Sequence, residues 1–586
     1  MTADRSGTWY PVSFEASAPA SGTEELLAER SIRLLVDFFR AKGLAQVKAE
    51  DRQEDWYQDW ISYQAAHGIY ASLLSPARYS ARGHRFGLRE LTRFLEVAAY
   101  FSPAHAYSLH VSFLGLFPIL MGTNEALKVE AVARLEGGGL FAFAVSEKAH
   151  GSDLFSNEFS VRRAGPGRWI AEGAKYYIGN ANAACMVSIL ARSDAASSGG
   201  GRRAPFVFFA VRPAEAPGFR SARKIRTLGI RTAFVGEFKV EGHEFPESDV
   251  ISAGRDAWDA VFGTVDLGKF LLGFGAIGIC EHAFAESVGH MHARTLYGRR
   301  VTELPHIRAT TVVAFARLVA MKFYAHRALD YLQAAAADER RYLLYNAVQK
   351  ARVSTEGVKV IGLLSECIGA RGAEAETYFE SALRDAQLVP GLEGSTHINF
   401  GLTAQFVGPY FDAPGGDLPP SPPAGGAGAG PDENPYWTAS RDRNAKTVRF
   451  GPYLAAYEPL RDVPNVRVFL AQVETFKRFV ESAGSMGEPA PDSRTVLAVG
   501  RCFAIVAFAQ LVAERCAAVS AAPWTVALVF HALVSDLAGE ALALSATTPV
   551  GSPLREILTG AVRVPETSAA DYDGVWALLA ERSGIG

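Results

Sequence analysis

Residues 389–400 read VPGLEGSTHINF and hold one carboxylate, Glu393, between Leu392 and Gly394, with no Lys or Arg in the stretch. A carboxylate among apolar neighbours and far from any cation loses solvation, and its pKa rises. A carboxyl moved toward neutrality can serve as a general base. Gly391 lies two positions before Glu393 and Gly394 directly after it. Read alone, the same stretch also suits a turn acid facing water. A second candidate is FAVSEKAHGSD, residues 143–153. Its small and hydroxylic residues Ser146, Gly151 and Ser152 let backbone N–H groups approach a planar ligand or a phosphate. By itself it is also an ordinary polar turn.

The elements that must position these groups are legible in outline. Apolar residues recur at helical spacing in EELLAERSIRLLVDFFRAKGL, LRELTRFLEVAAYFS and HVSFLGLFPILMG, which predicts a helical domain over residues 1–138. Near Gly137 the texture changes. FKVEGHEF alternates, MVSILARS and PFVFFAVRP are apolar runs of strand length, and a β domain is expected over 139–253. Helix returns over 254–411, with Val353, Val360, Leu364 and Cys367 on one face. Residues 412–435 are dominated by Pro, Gly and Ala and read as a linker. Three to five further helices are expected over 436–586.

The chain has 586 residues, too many for one core, with 49% hydrophobic and 21% charged residues. A net charge of −3 without a basic block argues against nucleic acid as a partner. Five scattered cysteines show no paired or metal-ligand spacing, so a cytoplasmic protein without a metal is expected. The N-terminal stretch has no apolar h-region. The longest apolar run, Cys502 to Val512, is expected to be too short for a transmembrane segment.

Five stretches, in order, resemble motifs of the acyl-CoA dehydrogenase and acyl-CoA oxidase superfamily of flavoproteins. FAVSEKAHGSD is similar to the family's Tyr/Phe-x-hydrophobic-Thr-Glu-Pro-x-x-Gly-Ser-Asp, with Phe143, Val145, Ser146, Glu147, Gly151, Ser152 and Asp153 in place. EGAKYYIGNA resembles Gly-x-Lys-x-Trp-Ile-Thr-Asn-Gly. Tyr177 takes the position of the aromatic against the flavin, Ile178 fits, and Gly179 replaces the Thr whose side chain sits beside the reactive flavin edge. That contact is then expected from backbone or from Ser146. HARTLYGRR is similar to Arg-x-x-Phe-Gly, which gives Arg294 a pyrophosphate to hold and puts Leu296 and Tyr297 beside it, whereas Pro305 replaces a usual Gln. ECIGARG resembles Gln-x-x-Gly-Gly-x-Gly, with Glu366 for Gln, Gly369 retained and Ala370 for the second Gly. ALRDAQLVPGLEGSTHIN resembles Tyr-Arg-Asp-Ala…Tyr-Glu-Gly-Thr-Ser, which places the family's catalytic Glu on Glu393, with Ser395 and His397 near the cofactor.

The resemblance covers residues 24–408 and implies an α+β fold: an N-terminal α-helical domain, a middle β-barrel or sandwich, a C-terminal four-helix bundle and, here, an appended all-α domain. It implies FAD and α,β-dehydrogenation of an acyl thioester. Glu393 takes the α proton, and hydride leaves the β carbon for the flavin. Ser152, Asp266, Lys269 and Gly394 are implied in binding the substrate, which is acyl-CoA or an acyl carrier protein thioester. The electron acceptor is an electron-transfer flavoprotein or, in an oxidase, O2. Because ECIGARG would complete a neighbour's cofactor site, a homodimer is implied. Glu393 argues against a nitroalkane-oxidase-like member, where the base is commonly Asp or absent. The departures at Gly179, Pro305 and Glu366 also suit an inactive scaffold that binds acyl carriers. With few lysines and an Ala/Arg/Gly-rich composition, they suggest specialised lipid or polyketide metabolism.

Overall fold

The computed structural model describes residues 27–193, 206–412, 442–485 and 492–583. The expected linker, 412–435, lies outside the described residues except for Asp412. The fold is α+β, and the described residues form two compact units, those up to 278 and those from 279 onward.

In the first unit, helices Leu27–Gln53, Gln58–His67, Ile69–Leu74, Leu88–Phe101, Pro103–Met121 and Glu125–Glu136 precede the sheet. Its strands are β1 (Leu140–Ala144), β2 (Ser160–Gly165), β3 (Arg168–Gly179), β4 (Ala184–Ser193), β5 (Phe206–Val211), β6 (Phe219–Lys224), β7 (Val235–Pro246) and β8 (Val250–Ala253). Their order is β6-β7-β3-β2-β4-β5-β8. Strand β4 pairs in parallel with β1 over Ala184–Ile189 and with β2 at Arg192 and Ser193, so the sheet forks there. Trp169, Phe209 and Phe245 stack at its core, Phe209 and Phe245 with centroids 4.4 Å apart. Helix Pro103–Met121 lies on β1 and β4, where Ser188 Oγ donates to the Gly115 carbonyl at 2.6 Å.

Helix Arg255–Ala293 continues from the first unit into the second. The second unit holds helices Pro305–Gln333, Tyr342–Val348, Ser354–Ile368, Tyr378–Leu388, Thr396–Ala404 and Val407–Asp412. Helices Pro464–Ser485, Ser493–Ala518, Pro523–Thr547, Pro553–Thr559 and Ala569–Ser583 of the extension belong to the same unit. Ser493–Ala518 packs on both Pro305–Gln333 and Thr396–Ala404. Its contacts are partly polar and buried. Glu514 accepts from Arg327 Nε at 2.7 Å and from Gln510 Nε2 at 2.8 Å, and Gln510 Oε1 accepts from the Tyr410 hydroxyl at 2.6 Å.

The reading of run length misses one property. Among the described residues, four helices are long and apolar enough to cross a membrane: Pro103–Met121, Arg255–Ala293, Ser493–Ala518 and Pro523–Thr547. Isolated charges interrupt the apolar runs without making the helices polar. Between 56% and 89% of each apolar window is buried inside the protein, so these windows mainly serve as core.

Candidate active site

The first candidate surface is built at the ends of β1 and β3. Phe143 and Val145 are buried, Phe143 edge-on to Phe208 with centroids 6.0 Å apart, so a ligand meets backbone there. The Val145 carbonyl is already taken by Asn157 Nδ2 at 2.6 Å and Lys175 Nζ at 3.2 Å. Beyond it the chain is sewn to β3. Ser146 Oγ donates to the Tyr176 carbonyl at 2.6 Å, and the Tyr176 N–H donates to the Ser146 carbonyl at 3.1 Å.

Between Tyr176 and Ile178 the register of β3 on β7 slips: Tyr176 faces Glu237 and Ile178 faces Gly236. Tyr177 is the extra residue of that bulge, with φ +64° and its side chain 58% exposed. A bulky residue rarely takes left-handed backbone, which costs on the order of 1–3 kcal/mol, and bulges re-aim side chains beside sites. Ile178 is buried beneath. Asn180, also left-handed at φ +57°, is buried. Its Nδ2 reaches the Ser108 carbonyl at 3.0 Å, the Phe141 carbonyl at 3.2 Å and Ser112 Oγ at 3.2 Å. One amide thus pins the strand end to β1 and to helix Pro103–Met121.

That helix explains the glycine at 179. A Cβ there would lie 2.7 Å from Val111 Cγ2 and 2.8 Å from the Tyr107 hydroxyl oxygen, so a side chain fits only if one of these moves. Tyr107 occupies the room that a threonine at 179 would need. Sequence reasoning missed it because no motif contains it; only the four-residue step from Tyr107 to Val111 on one helix face was there to be read.

Below the surface lies a second pair that the motifs contained and the reading left out. Lys175 Nζ meets Glu147 Oε1 at 2.9 Å, and both are buried. Burial pushes the Lys175 ammonium down to about 8, with Glu147 opposing. Burial also opposes ionisation of Glu147, but Lys175 and the backbone N–H groups of Glu158 and Phe159 outweigh it and hold the carboxyl below its usual range. Gly151, Ser152 and Asp153 stand exposed on the loop that this pair anchors.

The second candidate surface is the turn at Glu393. Helix Tyr378–Leu388 ends in a 3-10 turn, Val389–Gly391, and helix Thr396–Ala404 begins just after. Between them Glu393 takes φ +50° and Gly394 φ +86°. Asn399, buried, donates to the Gly394 and Ser395 carbonyls at 3.1 Å each. Glu393, Gly394 and Ser395 are half-buried, and His397 is exposed. The stretch lacks a cation in sequence but not in space: Lys350, fully buried, donates to the Val389 carbonyl at 2.9 Å and the Pro390 carbonyl at 3.0 Å. That ammonium, 39 positions before Val389, holds the backbone ahead of Glu393, and no local reading supplies it.

Arg294 and the two-residue loop Tyr297–Gly298 form an exposed hairpin, with φ +51° and +75° at the tip and Tyr297 95% exposed. Such primed turns need left-handed backbone at both central residues, and only the second here is glycine. Leu296 is half-buried. Glu366, Gly369 and Ala370 are exposed at the end of helix Ser354–Ile368, where Gly369 takes φ +64°. The two motifs meet at His290: burial, then Arg294, then Arg371 hold its imidazole below its usual pKa. In the first unit, Asp266 and Lys269 are buried and paired with each other at 2.9 Å. A substrate could reach them only by displacing that pair.

Each unit by itself carries features that suit part of the flavin the motifs imply, the β3 end its ring system and Arg294 its pyrophosphate. The bulge presents an aromatic face, Ser146 and the 151–153 loop offer small polar groups, and Arg294 carries an exposed guanidinium. Two domain models match the sequence: Acyl-CoA dehydrogenase, middle domain, over residues 142–242, and Acyl-CoA dehydrogenase, C-terminal domain, over 256–408. Mitochondrial isovaleryl-CoA dehydrogenase of Pongo abelii is 24% identical over 368 residues, 61% of this chain and 84% of that protein. The acyl-CoA dehydrogenase of Bacillus anthracis, solved with FAD, superposes with a TM-score of 0.75 at 15% identity over 95% of this chain and 94% of that one, extension included. The prolyl acyl carrier protein oxidase AnaB gives 0.55 at 20% identity over 66% of this chain and 100% of that one. Residues 142–242 and 256–408 are thus similar to the middle and C-terminal domains of acyl-CoA dehydrogenases.

Proposed function

We propose that this chain is an FAD-dependent oxidoreductase that dehydrogenates an acyl thioester between its α and β carbons. The observation that carries the reading is the turn at Glu393, a half-buried carboxylate on left-handed backbone with carbonyls clamped on both sides of it. A general base needs that fixity, because proton transfer demands hydrogen-bond reach to one C–H bond. When bound, FAD supplies the hydride acceptor. Tyr177 and Ser146 would hold its ring system, and Arg294 would hold a pyrophosphate. Glu393 removes the α proton, and its backbone N–H polarises the thioester carbonyl so that this proton becomes acidic enough for a carboxylate. Gly394 lets the carbonyl come close. A homodimer completes each cofactor site with Glu366, Gly369 and Ala370 of the neighbour.

The purified protein is expected to be yellow with bound FAD and to bleach on anaerobic addition of a short acyl-CoA series. Bleaching by a carrier-protein thioester alone would assign the carrier protein as substrate. Rapid reoxidation in air would assign O2 as acceptor, and slow reoxidation an electron-transfer flavoprotein. A protein that takes up no FAD contradicts the reading and leaves the inactive scaffold.

A further inference from the structure

The cation that clamps the Glu393 turn stands on a turn of its own that the extension grips. Residues Gln349–Val353 form a single π-helical turn between helices Tyr342–Val348 and Ser354–Ile368, and all five are buried. Such turns interrupt a helix's regular ladder, and they recur at functional sites. From this one, Lys350 Nζ reaches the Val389 and Pro390 carbonyls at 2.9 and 3.0 Å. Two residues on, Arg352 leaves the same turn toward the extension. It pairs with Asp536 of helix Pro523–Thr547 and with Glu356 at 2.8 Å. Arg317 closes the cluster, 2.9 Å from Asp536 and 2.7 Å from Glu356. The π turn thus has one cation on the turn that carries the carboxylate and the next on the extension.

We propose that Lys350 is a positioning residue for Glu393, and that Asp536 of the extension holds the π turn on which Lys350 stands. The inference rests on Glu393 being the base. It gives the extension a part in catalysis: its carboxylate fixes the turn whose ammonium sets the two carbonyls ahead of Glu393. No bond is made or broken in this role. Lys350 acts only through backbone, so its loss should slow proton removal and leave substrate binding alone.

The test uses the full-length, FAD-loaded protein as wild type, Lys350→Met, Asp536→Asn and Glu393→Gln. Amide hydrogen–deuterium exchange is read on the peptide covering 389–396, and flavin reduction by butyryl-CoA is followed anaerobically. In Lys350→Met, exchange at 389–396 should accelerate while flavin content and visible spectrum stay those of wild type. The reduction rate per bound flavin should fall on the order of 100-fold, the scale of a misplacement near 1 Å, with the half-saturating butyryl-CoA concentration unchanged. Asp536→Asn should move exchange in the same direction at both 349–353 and 389–396. Wild-type exchange and rate in Lys350→Met overturn the proposal, as does a lowered melting temperature with an unchanged rate per flavin. If Lys350→Met does not fold, Asp536→Asn decides, and unchanged exchange at 389–396 counts against the proposal. If wild-type flavin is not reduced by any acyl thioester, the dehydrogenase reading fails; the exchange arm then still shows whether Lys350 and Asp536 hold the turn.

Discussion

The two candidate surfaces are held in different ways. At the β3 end the fastening is local. Ser146 and Glu147 of one motif bind Tyr176 and Lys175 of the next, and Asn180 reaches outside the motifs, to Ser108 and Ser112 of helix Pro103–Met121. At Glu393 the fastening is remote. Lys350 arrives from 39 positions before the carbonyl it holds, and helix Thr396–Ala404 is backed by the extension, where Gly500 lies against Phe400 so closely that a Cβ would come 2.2 Å from its carbonyl oxygen. Short motifs carry most of their own supports in the first case and borrow them in the second. Substitutions should therefore act within one motif at the β3 end and across the unit at Glu393.

The largest stability effect is expected from Lys175→Met. It leaves Glu147 as a buried carboxylate without its ammonium, and breaking such a pair costs about 3–5 kcal/mol. A melting curve and the retained FAD per chain check it; an unchanged melting temperature and full flavin content would show that the pair is dispensable. Gly179→Thr comes next. The new side chain must displace Tyr107 or Val111, at about 1–3 kcal/mol for overpacking. Titration of FAD fluorescence should show weaker binding, and a second change, Tyr107→Ala, should restore it. If the double variant binds FAD no better than the single one, Tyr107 does not fill that room. Gly500→Ala sharpens the contrast from the other side. Its methyl group must push Phe400 and the helix after Glu393, so flavin reduction should slow although position 500 is far from Glu393 in sequence. Equal rates for variant and wild type would mean that the helix yields without moving the turn. The smallest effect is expected from Ser146→Ala, which removes one hydrogen bond worth about 1 kcal/mol and should weaken FAD binding slightly.

Much of the fold was legible because its periodicities are strong. The alternation in FKVEGHEF marks β7, and the apolar spacing in LRELTRFLEVAAYF marks a helix of the first unit. The site was legible as far as its motifs reach. What could not be read is what acts over distance. Lys350 and Tyr107 sit in unremarkable helical stretches, and only the packing of helices brings them to the Val389–Gly391 turn and to Gly179. Asp266 and Lys269, implied by the resemblance as substrate contacts, stand three residues apart on a helix and pair with each other, a pairing that their spacing allowed.

The most direct test of the account is rapid-mixing reduction of the FAD-loaded protein by an acyl thioester that bleaches the wild type, with Glu393→Gln under the same anaerobic conditions. The account predicts that the variant keeps its flavin and its visible spectrum, binds the thioester, and reduces its flavin on the order of 100- to 10,000-fold more slowly, the usual contribution of a positioned base. A Glu393→Gln protein that bleaches at the wild-type rate would contradict it, because the α proton would then leave by another group.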